Sequence, residues 1–229
     1  LTARRINGSI SVVKNGLFIT FEGGEGSGKS TQARRLADHL HRRGVPVVHT
    51  REPGGTSIAE SVRRVLLHPD SRVAPLTELL LYEAARAQHV AEIVSPALQA
   101  GKVVICERYT DATVAYQGYG RGLNLRDIRI LNDIATERRR PDLTFLLDVP
   151  VERGLTAARN LPKRLALRAA RTRGGDRMER ESAQFHDRVR RGYLSLARKE
   201  PRRFRRISWG GSVEDVFERI RTAVDNRLG

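Results

Sequence analysis

The stretch LFITFEGGEGSGKST at residues 17–31 constrains the fold more than any other part of the chain. Residues 17–21 are a short apolar run of the kind that forms a buried strand. Gly23, Gly28, Lys29 and Ser30 then fit the pattern Gly-x4-Gly-Lys-Ser. Residues 29–43 place Ala33, Leu36, Ala37 and Leu40 on one helical face, and Gly44 ends the run. Strand, glycine loop and helix in that order make a phosphate-binding loop. The glycines let backbone N–H groups turn inward, and the helix start adds positive potential. Gly23, Gly24, Glu25, Gly26, Ser27, Gly28, Lys29, Ser30 and Thr31 are therefore expected to cradle ATP. Lys29 would reach its β- and γ-phosphates and Ser30 would ligate Mg²⁺. Glu25 is the residue that does not fit, since a carboxylate inside a cradle for anions must face something other than phosphate.

Downstream, apolar strand patterns at 45–50, 103–106, 143–147 and 204–208 alternate with helical patterns. The helices are expected at 58–67, 76–98, 125–137, 150–159, 180–198 and 213–228, with Pro96 bending or ending the second of them. Near-continuous apolar strands between helices imply an α/β fold, a parallel sheet covered on both faces. A single domain over residues 16–229 is expected, behind a disordered leader at 1–15 that shows no signal-peptide pattern. Residues 160–177 lack periodicity and are arginine-rich, which reads as a mobile lid.

The net charge is +16, and residues 151–206 hold 18 of the 42 Lys and Arg but only 6 of the 26 Asp and Glu. A nucleic-acid face, a phosphate-handling lid and plain surface arginine all fit that bias. Grooves for single strands interleave their charge with stacking aromatics, and residues 160–180 contain none. No apolar run approaches the roughly 18–20 residues of a membrane span. The single cysteine, Cys106, excludes an internal disulfide and suits the cytoplasm. The six histidines show no ligand spacing, so no structural metal is expected.

Further polar residues gather where strands should end. Arg51 follows the second strand and Glu107-Arg108-Tyr109 the third, at the edge where open α/β sheets bind ligands. Either arginine can grip a phosphate through paired N–H bonds, or belong to a structural ion pair. Tyr82 and Arg86 lie one helical turn apart and could stack on and hydrogen-bond a base, although spacing alone favours core packing for Tyr82. Tyr116-Gln117 is equally open.

The segments FEGGEGSGKST, REPGGT, LLLYEAARAQHV, GKVVICERYTDATVAYQG and PDLTFLLDVP, in this order, resemble thymidylate kinases of the bacterial type. The resemblance runs from about residue 17 to the C-terminus. It implies the P-loop nucleoside monophosphate kinase fold and phosphoryl transfer from Mg-ATP to dTMP, giving dTDP on the way to dTTP. By position, Arg51 and Arg108 would hold the dTMP phosphate, Tyr82 would stack on thymine, and Arg86 would bond its O4 edge. Thr113 and Gln117 would line the base, Tyr116 would crowd the 2′ position, and Glu25 would meet the 3′-hydroxyl. Glu107 would join Ser30 at the metal and act in catalysis with Lys29 and Arg108. RTRGGDRME at 171–179 resembles the lid of the subtype that carries its catalytic arginine there, which points to Arg173 and then Arg171. The absence of an arginine at Gly26-Ser27 agrees with that subtype. The family also implies a homodimer, while the residues themselves point to a cytoplasmic protein without a specific nucleic-acid or membrane partner. The chain departs from the family in having Glu107 where aspartate is usual and Ala112 where serine is common. Its Gly-Gly-Asp at 174–176 is also one residue shorter than usual. A kinase for another nucleoside monophosphate and a nucleic-acid-binding P-loop NTPase are the competing readings.

Overall fold

Leu17–Glu22 (β1) is buried along its whole length because its side chains enter cores on both faces of a sheet. Leu17, Ile19 and Phe21 pack with Leu36 and Leu40 of Lys29–Arg42 (α1), and with Ile220 and Val224 near the C-terminus. Phe18 faces the other way, among Val90, Val94, Val104 and Tyr109. Thr20 lies between, its hydroxyl 2.8 Å from that of Thr144. The computed structural model describes residues 5–6, 9–10, 16–160 and 175–228. Arg171, Arg173 and nearly all of the expected lid fall outside these, as does most of the leader. The leader contributes Arg5–Ile6 and Ser9–Ile10, which pair antiparallel.

The main sheet holds β1, Val47–Arg51 (β2), Val103–Glu107 (β3), Leu143–Asp148 (β4) and Phe204–Ser208 (β5). They are all parallel, in the order β2-β3-β1-β4-β5. In this register Phe21 stands opposite Glu107, and Glu107 opposite Arg51. The glycine loop, Arg51, Glu107 and Arg108 therefore emerge at one carboxyl edge.

The helices after α1 are Ser57–Leu67 (α2), Pro75–His89 (α3), Ser95–Gln99 (α4) and Thr110–Thr113 (α5). Leu125–Ala135 (α6), Val151–Arg159 (α7), Ala183–Lys199 (α8) and Val213–Leu228 (α9) complete those described. Pro96 does not end the helix at 76–98. A π-helical segment, Val90–Val94, joins α3 to α4, and Pro96 sits in the first turn of α4. There a missing N–H is tolerated, and the widened turn before it relieves the ring's clash with the preceding carbonyls. Helix α8 begins after residue 180 because the Ser182 hydroxyl caps it, accepting from the Phe185 N–H at 3.2 Å. The sequence pattern missed a helical stretch in which α5 runs into the π segment Val114–Gly120. Gly118 and Gly120 interrupt its apolar periodicity for a packing reason. A Cβ on Gly118 would lie 2.4 Å from the Leu125 side chain, and one on Gly120 2.7 Å from Phe185.

Candidate active site

The glycine loop and the carboxyl edge of the sheet enclose a cleft of about 540 Å³. Gly26 has φ 62°, and a Cβ there would lie 1.9 Å from the Gly154 carbonyl oxygen. Helix α7 thus packs against the loop at a distance only glycine permits, and no basic side chain can replace Gly26. Lys29 folds back over the loop, its Nζ donating to the carbonyls of Gly23 (3.1 Å) and Gly24 (2.7 Å) and to Ser27 Oγ (3.2 Å). Burial, together with the charge of Arg108, lowers its pKa to about 7 despite Glu25 and Glu107 nearby.

Arg108 meets Glu25 at the mouth of this loop. Its Nη2 donates to Glu25 Oε1 at 2.6 Å, and its Nη1 donates to the Gly23 carbonyl at 3.1 Å and the Tyr193 hydroxyl at 3.3 Å. The guanidinium stacks 4.8 Å from the Tyr116 ring centroid, and Tyr116 Oη donates to the same Glu25 oxygen at 2.8 Å. Burial alone would raise the Glu25 pKa. Arg108, Lys29 and the Tyr116 hydroxyl outweigh it and bring the value down to about 2. Arg108 has φ 65°, a strained conformation for a side chain of this size. Its N–H donates to the Phe21 carbonyl at 2.9 Å, and the Tyr109 N–H donates to buried Glu22 at 2.8 Å, so the strained residue and the one after it are both tethered.

Beside the loop, Ser30 Oγ donates to Glu107 Oε2, and His49 Nε2 lies 3.1 Å from Glu107 Oε1. Burial would raise the Glu107 pKa, but these hydrogen bonds prevail and lower it. A hydroxyl and an ionised carboxylate in contact at a helix start are the hard oxygen donors Mg²⁺ takes, so the pair fits that ion. Arg51, half exposed at the end of the neighbouring strand, donates to Glu60 at 2.8 Å.

The far end of the cleft is lined by Tyr82, Arg86, Thr113 and Gln117. Arg86 is 2 % exposed, and each of its five N–H groups has a protein acceptor. Nε donates to Glu52 (2.8 Å), Nη1 to Glu83 (2.7 Å) and Asn132 (2.8 Å), and Nη2 to the Tyr109 carbonyl (3.2 Å) and Thr113 (2.9 Å). It can reach a base only by sharing or exchanging one of these bonds. The carboxylate of Glu52 is held in turn by His89 at 2.9 Å, and His89 also contacts Thr50 at 2.7 Å.

Comparison with known proteins decides the family. The thymidylate kinase family model matches residues 21–220. A thymidylate kinase of Syntrophotalea carbinolica is 53% identical over 92% of this chain and 96% of its own length. One from a Synechococcus strain is 51% identical over 93% and 97%. A crystal structure of thymidylate kinase from Ehrlichia chaffeensis superposes with TM-score 0.72 at 36% identity, covering 92% of this chain and 99% of that one. The chain belongs to the thymidylate kinase family. Its fold is accordingly the P-loop nucleoside monophosphate kinase fold, and its activity the phosphorylation of dTMP.

The cleft collects all the described residues expected from the sequence except Gly23 and Gly24. Those two line a smaller pocket alongside, with Glu25 common to both. The cleft is also lined by Arg34, Arg63 and Asp176, which sequence reasoning did not select. Nor did it select Tyr193, His49, Glu22 or Glu78, since each reads as an ordinary helix or strand residue until the chain is folded. Glu52, His89 and Cys106 bring potential ligand atoms within 4.8 Å of one another, a cluster their sequence spacing does not show. Arg86 already supplies the cation beside Glu52, and the Cys106 thiol donates to the Arg108 carbonyl at 3.1 Å.

Proposed function

We propose that this chain transfers the γ-phosphoryl group of Mg-ATP to dTMP, with donor and acceptor meeting at Glu25. The contact between Glu25, Arg108 and Tyr116 carries the reading, because it ties a phosphate-binding loop to residues of a second ligand site. Lys29 and the loop N–H groups hold the triphosphate, and Ser30 with Glu107 would hold Mg²⁺, which neutralises phosphate charge when bound. Arg108 and Arg51 grip the acceptor phosphate. That grip draws Arg108 from Glu25 and frees the carboxylate for the 3′-hydroxyl. Tyr116 lies against the sugar, Tyr82 stacks on the base, and Arg86, Thr113 and Gln117 border it. The absence of room for a side chain at Gly26 supports a catalytic cation from outside the loop, for which Arg173 is our choice and Arg171 the second.

Among the described residues no helix is long and apolar enough to cross a membrane. A cytoplasmic enzyme without a specific nucleic-acid partner fits the rest of the reading. Leu76 and Leu80 on α3 and Ile130 and Ile134 on α6 are each about half exposed or more, on helices that pack together. These exposed apolar side chains support a homodimer, and a monomeric mass by light scattering would remove that part of the proposal.

Coupled ADP release with Mg-ATP across a panel of nucleoside monophosphates tests the substrate. The expected result is a kcat/KM on dTMP well above that on dCMP or AMP. Equal rates on dCMP or AMP would overturn it.

A further inference from the structure

Buried Glu78 lies behind the acceptor end of the cleft, in the first turn of α3, with no exposed surface. Its Oε1 accepts from Gln117 Nε2 at 2.8 Å and Arg121 Nε at 3.1 Å. Its Oε2 accepts from Arg121 Nη2 at 3.0 Å and lies 2.6 Å from Arg177 Nη2. Burial would raise the Glu78 pKa, but the bonds from Arg121 and Gln117 prevail and lower it. The arginines are themselves fixed. Arg121 pairs with Glu181 at 2.6 Å and lies 4.7 Å from the Phe185 ring centroid, while Arg177 Nε donates to the Leu66 carbonyl at 2.8 Å.

An ionised carboxylate can only accept, so the atom of the Gln117 amide facing Glu78 must be its nitrogen. The carbonyl oxygen then points the opposite way. Gln117 lines the cleft, and no donor among the described residues reaches that oxygen. We propose that Glu78 is a positioning residue that locks the Gln117 amide with its carbonyl toward the acceptor base. The site thereby selects a pyrimidine offering a ring N–H, as thymine and uracil do, over one offering a bare ring nitrogen, as cytosine does. This rests on the reading that Gln117 borders the base. A bare nitrogen would set one lone pair against another, leaving a buried acceptor unpaired.

Glu78→Gln tests the lock with almost no change of shape. Two guanidinium donors converge on the Oε2 position and only one, Arg121 Nε, on Oε1, so the variant's carbonyl belongs at Oε2 and its NH₂ turns toward Gln117 at the cost of the Arg121 Nε bond. The Gln117 amide must then present its own oxygen to residue 78 and its NH₂ to the base. The dTMP-to-dCMP ratio of kcat/KM should fall at least about tenfold, with part of the change a gain on dCMP. A merely structural lesion would lower both substrates together, and that result would overturn the proposal. Glu78→Asp keeps the charge for the arginines but withdraws it from Gln117, so it should narrow the ratio too. Shifts in Tm on adding dTMP or dCMP read the same preference for a variant too weak to assay. In a Gln117→Leu background, Glu78→Gln should leave the ratio unmoved, and a shift that persists there also overturns the role of Glu78. Gln117→Leu with a wild-type ratio would instead overturn the placement of Gln117 at the base.

Discussion

Replacing Lys29 with methionine should lower kcat roughly a thousandfold while leaving the protein folded. Methionine matches the length of the lysine stem, and the side chain is only 8 % exposed, so packing changes little. What disappears is the Nζ that donates to Gly23, Gly24 and Ser27, and with it the one cation inside the loop. The Gly23 carbonyl keeps its bond from Arg108, which limits the structural cost. The environment of Lys29 adds a second signature. Burial and the charge of Arg108 lower its pKa to about 7, so above neutral pH the ligand-free enzyme holds it largely unprotonated. A bound triphosphate brings negative charge to the ammonium and raises that pKa. ATP binding should therefore take up a proton near pH 8 and almost none near pH 5, and affinity should weaken as pH rises above 7. Titration calorimetry in two buffers of different ionisation enthalpy measures the uptake, which Lys29→Met should abolish. Uptake that survives in the variant would place the titrating group elsewhere.

The sequence carries the outline of this site better than its interior, for reasons of scale. The glycine loop was legible because its geometry needs glycine and lysine at fixed spacings within one turn. Strand ends were legible because apolar runs stop where the chain reaches solvent, which located Arg51, Glu107 and Arg108 on one edge before any register was known. The order of strands was not legible, since parallel partners meet through crossovers that leave no local pattern. Nor was the π segment at 114–120, where Gly118 and Gly120 answer to Leu125 and Phe185 rather than to their own helix. The buried polar residues were hidden for a related reason. Glu78 finds its partners at positions 117, 121 and 177, and Arg86 finds its own at 52, 109, 113 and 132. Spacing on one helix can put Tyr82 and Arg86 on a common face, but it cannot reveal that the guanidinium's donors are already engaged.

Arg108→Met should reduce kcat/KM for dTMP by about a hundredfold or more, and it should also destabilise the fold. The two losses have different origins and can be separated. Activity should fall because the proposed grip on the acceptor phosphate loses a planar fork of donors that methionine cannot imitate, which leaves it to Arg51, half exposed and paired with Glu60. Stability falls because Glu25 keeps its charge in a largely buried position without the guanidinium 2.6 Å away. The pair is 17% and 13% exposed, so the cost should be about 2 kcal/mol, below the range for a fully buried pair. Linkage gives this part its sign. The folded pKa of Glu25, about 2, lies below its ordinary 4.5, so its contribution is present above pH 4.5 and is lost as pH falls toward 2. The stability gap between wild type and Arg108→Met should accordingly shrink across that acid window. Adding Glu25→Gln to Arg108→Met removes the unpaired charge and should restore part of the stability while restoring none of the activity, since the phosphate grip remains absent. If the double variant recovered activity along with its Tm, Arg108 would be a scaffold for Glu25 and the grip on the acceptor phosphate would belong to Arg51.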